Sequence, residues 1–244
     1  MTLIMNKILM LALMIGLSTQ LFGQKGSPVD KSVSLTAAIG SSEFSTALAY
    51  QHLWKLGKKE KFGIGTGIRL TNYFGTNKYY TTAPAKLTSG KTGPGVFFAD
   101  DIPQNIDSVL FKKGQINALN ISINFGYNIY KKITLGFNID AMGFTVGGSK
   151  KGSYLGNNGA GSATTAKPTG FNLLLVSDND LGSLNSEFYA RYSFNKKWGA
   201  KIGFQFLFTE YTTATKIQTT PDGQKNDRFR NKSSGISFGI THQL

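Results

Sequence analysis

The chain has no cysteine in 244 residues, which excludes a disulfide scaffold, a zinc ribbon, an iron–sulfur protein and a lipoprotein anchored through a thioether. It has only two histidines, His52 and His242, so little is available for general-base or metal chemistry. Charge is scarce at 16% of residues, where soluble domains carry about a quarter. Acid is scarcer still, 13 residues against 27 basic ones, which leaves a net charge of +14. Long hydrophobic runs are missing too. Past the first segment the longest are 173–176 and 206–208, far short of the roughly 20 residues of a helical membrane span. What the chain does have is 29 glycines, 18 phenylalanines, 10 tyrosines and a 40% apolar share, enough to bury and too much for disorder.

Residues 1–23 read as an address. A single basic residue, Lys7, precedes an apolar core at 8–17, and the segment closes on Leu21, Phe22, Gly23 and Gln24. This is the pattern of a cleaved secretory signal peptide, with cleavage expected near Gly23/Gln24, and the core is too short to serve as an anchor. An exported chain without helical spans is either soluble or inserted through strands.

Periodicity separates the two. From 118 to 129, Leu119, Ile121, Ile123, Phe125, Tyr127 and Ile129 alternate with Ala118, Asn120, Ser122, Asn124, Gly126 and Asn128. Period two over that length is a strand, not a helix face. After Lys131 and Lys132 the alternation resumes through Ile133, Leu135, Phe137 and Ile139, making a hairpin. Six further segments read alike, at about 33–39, 44–54, 62–70, 187–194, 198–209 and 236–244. The expectation is eight strands.

The faces are inverted relative to a soluble sandwich. The polar face is small, made of Gly, Ser, Asn and Thr with a few isolated charges, while the other is continuously aliphatic and aromatic. A transmembrane barrel requires that inversion, because its apolar face meets lipid and its polar face fills a narrow lumen. Backbone groups in hydrocarbon must all be paired, so the sheet must close. The expected fold is an all-β, eight-stranded antiparallel transmembrane up-and-down barrel over residues 32–244, preceded by a short periplasmic segment at 24–31. Short connections at 55–60, 131–132 and 195–197 alternate with long ones at about 75–114, 148–182 and 213–233. Short turns are expected on the periplasmic side and long loops outside, with both termini periplasmic. The connection at 40–43 is short although it falls on the long-loop side, so a lopsided outer surface is expected. Trp54, Tyr130, Phe194 and Trp198 beside the short turns are the expected aromatic girdle.

The signal peptide, the alternating strands and the terminal strand resemble the small eight-stranded outer-membrane barrels of the OmpA-transmembrane-domain and OmpX kind. The Leu21-Phe22-Gly23-Gln24 junction and the Gly/Asn/Lys-rich loops are similar to the outer-membrane "porin family" barrels of Bacteroidota, a Gram-negative group. That resemblance implies insertion by the barrel-assembly machinery. Such barrels usually end in phenylalanine, whereas this chain keeps the apolar spacing of Phe238, Ile240 and Leu244 with leucine last. No periplasmic domain, and so no peptidoglycan-binding role, is expected.

Eight strands enclose a space that side chains can fill. Arg69, Asp140, Glu187, Arg191 and Lys201 fall on the inward register, and buried charges persist only when paired. One reading is a polar network that plugs the lumen, with Glu187 and Arg191 facing Asp140, Arg69 or Lys201; the other is a gated small-solute path whose selectivity those charges set. No catalytic residue, cofactor site or metal site is expected. Ser89-Gly90-Lys91-Thr92 has Ala85 where a phosphate loop needs its first glycine, and Gly63, Gly65 and Gly67 belong to a strand rather than a dinucleotide fingerprint.

The basic residues do not interleave with stacking aromatics, so nucleic acid is not an expected partner. Lys225, Arg228, Arg230 and Lys232 form an outer cluster that either contacts lipopolysaccharide phosphates or is a solvated loop. The function expected is a non-enzymatic outer-membrane barrel whose long loops engage an extracellular partner. Passive transport of small solutes or apolar molecules is the alternative, and a lipid-modifying enzyme or protease the remote one.

Overall fold

The computed structural model describes residues 28–156 and 161–244; the expected signal peptide and its cleavage site lie outside them. Thirteen strands account for most of the described residues: β1 (Val29–Gly40), β2 (Glu43–Leu56), β3 (Phe62–Thr82), β4 (Ser108–Tyr130), β5 (Ile133–Val146), β6 (Lys150–Leu155), β7 (Gly161–Pro168), β8 (Phe171–Leu173), β9 (Leu184–Ser193), β10 (Trp198–Thr213), β11 (Gln218–Thr219), β12 (Lys225–Asn226) and β13 (Arg228–Gln243). Among the described residues no helix is long and apolar enough to cross a membrane.

Eight of these strands close a barrel. Antiparallel pairing runs β1–β2–β3–β4–β5–β9–β10–β13 and back to β1, so no edge is left in the ring. β1 starts at Val29, so residues 29–31 belong to the barrel wall and not to the separate segment expected at 24–31. Alternation divides the residues as the sequence indicates. Leu35, Leu48, Ile68, Leu70, Leu119, Ile121, Phe188, Ile202, Phe204, Ile236, Phe238 and Ile240 stand exposed on the outer face. Ser34, Ala47, Gln51, Asn120, Ser122, Asn124, Asn138 and Ser237 are buried inside.

Above this barrel lies a second closed ring. β3, β4, β10 and β13 continue past the apolar belt, and the β6–β7 hairpin bridges β4 to β10 while β13 meets β3 directly. The result is a six-stranded ring, β3–β4–β6–β7–β10–β13, stacked on the eight-stranded one. The number falls because β1 and β2 turn back early at Ser41 and Ser42, the short connection noted in the sequence. The long connections are thus in part strand: residues 75–82 and 108–114 belong to β3 and β4, and 228–233 to β13.

The strands extend because they change face on the way. Asn77 takes a left-handed conformation (φ 52°), and inward side chains switch from odd positions such as Tyr73 to even ones such as Tyr80. The opposing strand makes the same switch at Lys112 and Lys113, between buried Phe111 and buried Gly114. A third switch is a bulge at Ala141, which puts Asp140 and Gly143 both inward. Residues 83–107 cross over as a short helix (Ala85–Thr88) and two 3₁₀ segments, Gly93–Phe98 and Pro103–Asn105.

Candidate functional site

The eight-stranded lumen is occupied by paired polar side chains. Arg69, on β3, donates through Nε to Asp140 Oδ1 at 2.9 Å, and its Nη2 lies 2.6 Å from the same oxygen. Asp140 is wholly buried, and its second oxygen accepts from Asn120 Nδ2 at 2.7 Å and from the Asn185 amide at 2.9 Å. Arg69 also donates to Asn138 Oδ1 and to the Asn185 carbonyl. Glu187 forms the second pair, 2.7 Å from Lys201 Nζ, with Ser237 Oγ donating to its other oxygen at 2.7 Å. Lys201 Nζ also lies 4.7 Å from the centre of the Tyr189 ring. Gln51 bonds Asn124, and Ser45 bonds Gln205, across the same space.

Arg191 finds a partner that sequence reading does not supply. It faces Asp30 at 3.4 Å, near the short-turn end, where Lys55 reaches the same carboxylate at 3.1 Å. The sequence reading puts Asp30 in a periplasmic segment and leaves Arg191 to share the other acids. Among the described residues the lumen instead pairs three carboxylates, Asp30, Asp140 and Glu187, with Arg69, Arg191 and Lys201, and with Lys55 at its short-turn end.

The six-stranded ring above is filled differently. Tyr73, Tyr80, Val109, Phe111, Ile116, Ala118, Leu207, Tyr211 and Phe229 form one buried apolar cluster. Tyr80 meets Phe111 and Tyr211 edge-on, each with ring centres 5.2 Å apart. The phenols satisfy themselves locally: Tyr211 exchanges hydrogen bonds with the Gln115 backbone, and Tyr80 accepts from Thr209 Oγ1 at 3.2 Å. The axis therefore runs from a lumen of ion-paired side chains into an aromatic core. Residues 109–111 lie within the long connection expected at 75–114 and extend β4 there, with Val109 and Phe111 buried in this core.

Outside the upper ring, the expected basic cluster is split. Arg230 is 2% exposed and Arg228 is partly buried, and both clasp Glu210 of β10, which is wholly buried. Arg228 meets Glu210 at 2.8 Å through Nε, and Arg230 at 2.8 Å through Nη2. Both guanidinium groups also donate to the Asp180 carbonyl. These two arginines are therefore not solvated loop residues: they hold residues 174–183 against the barrel wall. Burial pushes the Asp180 carboxyl up, although the Leu175 amide and Arg230 oppose it. Lys232 is 53% exposed at side-chain level and pairs with Asp178 at 2.6 Å. Lys225 stands apart on the small β11–β12 hairpin.

Sequence reading misses Glu210, although a signal exists. It falls on the same register as Phe204, Phe206 and Phe208, so a charge there marks the top of the apolar belt, as Arg228, Arg230 and Lys232 do on β13. The girdle residues Tyr130, Phe194 and Trp198 are exposed at the short-turn end, and Trp54 is partly buried there. His242 packs on Trp198 with ring centres 4.6 Å apart, and His52 on Trp54 at 4.8 Å. Among the described residues no group of three or more His, Cys, Asp or Glu is placed to hold a metal.

No family model and no curated protein matches the chain. Among solved structures, it is similar to Neisserial surface protein A at 10% identity and a TM-score of 0.37, over 88% of this chain and 96% of that one. It is similar to Ail of Yersinia pestis at 5% identity and 0.34, over 88% and 97%. A major outer membrane protein of Thermus thermophilus gives 12% identity and 0.41, over 89% and 100%.

Proposed function

We propose that the chain is an integral outer-membrane β-barrel that acts without catalysis, as a closed and rigid platform displaying its six-stranded ring at the cell surface. The observation that carries this is the inversion of the barrel: a continuous belt of exposed Leu, Ile and Phe outside, and hydrogen-bonded polar groups inside. In water each such half-exposed side chain forgoes about 1 kcal/mol of burial, a penalty that lipid contact removes. Strand closure satisfies every backbone ladder of the belt, as hydrocarbon demands. Short turns face the periplasm in this reading, and the upper ring, with its charged outer face, stands in the external medium.

The filled lumen and the aromatic core above it favour display over passage of solutes. Partner contacts then fall to the ring and to the connections 83–107 and 174–183. The test is cell fractionation with a protease site placed in the exposed turn at Asp222 and Gly223. The full chain is expected in the outer-membrane fraction, resistant to urea extraction, and cut by protease added to intact cells. Recovery as a soluble protein, or protection until the cells are permeabilised, overturns the reading.

A further inference from the structure

Beside the Glu210 clasp is a crevice of about 60 Å³, outside the ring and above the apolar belt, whose lining includes Thr81, Thr88, Asp101, Asp178, Arg230 and Lys232. Arg230 forms its floor in an unusual state. Its Nε and Nη2 are committed to Glu210 Oε2, at 3.2 and 2.8 Å, but the buried Nη1 has no hydrogen-bond partner. A guanidinium nitrogen left without an acceptor is a considerable loss of hydrogen-bonding energy, so the position calls for one. Asp178 Oδ1 stands close but does not fill the role: it lies 4.0 Å from Arg230 Nη1 while bonding Lys232 Nζ at 2.6 Å. An internal carboxylate thus sits between two cations, bonded to one only.

We propose that this crevice is a binding site for a phosphate-type oxyanion, carried by a lipid headgroup or free in solution, which displaces Asp178 and bridges Arg230 Nη1 to Lys232 Nζ. A tetrahedral oxyanion has acceptors enough for both cations and for the threonine hydroxyls, which a single carboxylate oxygen does not. Lys232 is exposed and gives the approach path, while Arg230 is held in place by Glu210 and loses no freedom on binding. Asp178 is partly exposed on the single turn Ser177–Asn179, so its side chain has solvent to move into, while Asp101 at the wall opposes the anion. The site lies outside the lumen and stands whether or not the lumen conducts.

The test uses the full chain refolded in a phosphate-free detergent, with folding verified by the heat-modifiable gel shift. Inorganic phosphate is titrated by calorimetry into the wild type, Asp178→Asn and Asp178→Asn/Lys232→Met. Asp178→Asn removes the internal competitor and is expected to bind about tenfold more tightly than the wild type, and Lys232→Met to abolish the gain. A parallel arm measures phosphatidic acid retained through purification by the same three proteins. Retention that follows the same order, with weak displacement by inorganic phosphate, assigns the anion to a lipid headgroup. Phosphate binding without lipid retention assigns it to free phosphate. Equal behaviour of the three folded proteins in both arms overturns the site. Lys232→Met alone, which leaves the Glu210 clasp intact, must weaken whatever binding the wild type shows.

Discussion

Asp140 and Glu210 are buried completely, and each is tied to arginine. Removing one partner of such a pair leaves an uncompensated charge in a dry site, which costs about 3–5 kcal/mol. Asp140→Ala is therefore expected to lower the urea midpoint of the refolded protein, with a loss of unfolding free energy in that range. Arg69→Met combined with Asp140→Ala should cost less than Asp140→Ala alone, because no charge is then stranded. An Asp140→Ala midpoint equal to the wild type contradicts the pairing. Asp180 gives a pH prediction of definite sign. Burial holds its folded-state pKa above the ordinary 3.8, so the folded chain binds the proton more tightly than the unfolded one. The contribution of this group to stability then declines as pH rises from 3.8 through the raised value. Asp180→Asn keeps an oxygen for the Leu175 amide and removes the titration, so its thermal midpoint should gain on the wild type between about pH 4 and pH 7. Parallel midpoints over that interval count against it. At this scale the sequence is readable wherever the alternation is unbroken: Arg69, Asp140, Glu187 and Lys201 are inward as the period requires. Arg191 is inward too, but its partner Asp30 lies ahead of the first alternating segment, where the pattern does not yet announce a strand. Arg230 is misread because the register that puts a side chain outside does not say that residues 174–183 will cover it.

Among the elements, the β5–β9 pair shows how a wall strand accommodates an inward aromatic. Gly136 stands directly across from Tyr189, and a Cβ at 136 would enter the tyrosine ring. Gly136→Val is expected to reduce the heat-modifiable folded fraction, and Tyr189→Ala to restore it; a valine variant that folds like the wild type contradicts this packing. The same scale explains why the long connections look irregular in sequence. β3 and β4 read cleanly until the inward side chains change parity at Asn77 and at Lys112 and Lys113. A period-two search stops at such a switch although the pairing between the strands runs on through it. Tyr80, Phe111 and Tyr211 come together only after those switches, so the aromatic core is out of reach of any single-strand pattern.

At the scale of the whole molecule, two closed rings share four strands and divide the labour of burial. The lower ring puts its apolar side chains outward and its charges inward in ion pairs, while the upper ring does the reverse around an aromatic core. The barrel class is legible because inversion is a property of every strand at once. The stacked ring is not, since its closure depends on β6 and β7 meeting strands far from them in sequence. In the proposed function, a barrel filled in this way serves as an anchor and a platform, and contacts with partners fall to the ring and its connections. The most direct test of that account is single-channel recording of the refolded protein in a planar bilayer. The account predicts a folded, inserted barrel with no discrete openings. Discrete openings whose ion preference changes on Arg191→Ala would contradict it, and would make the lumen charges a conduction path.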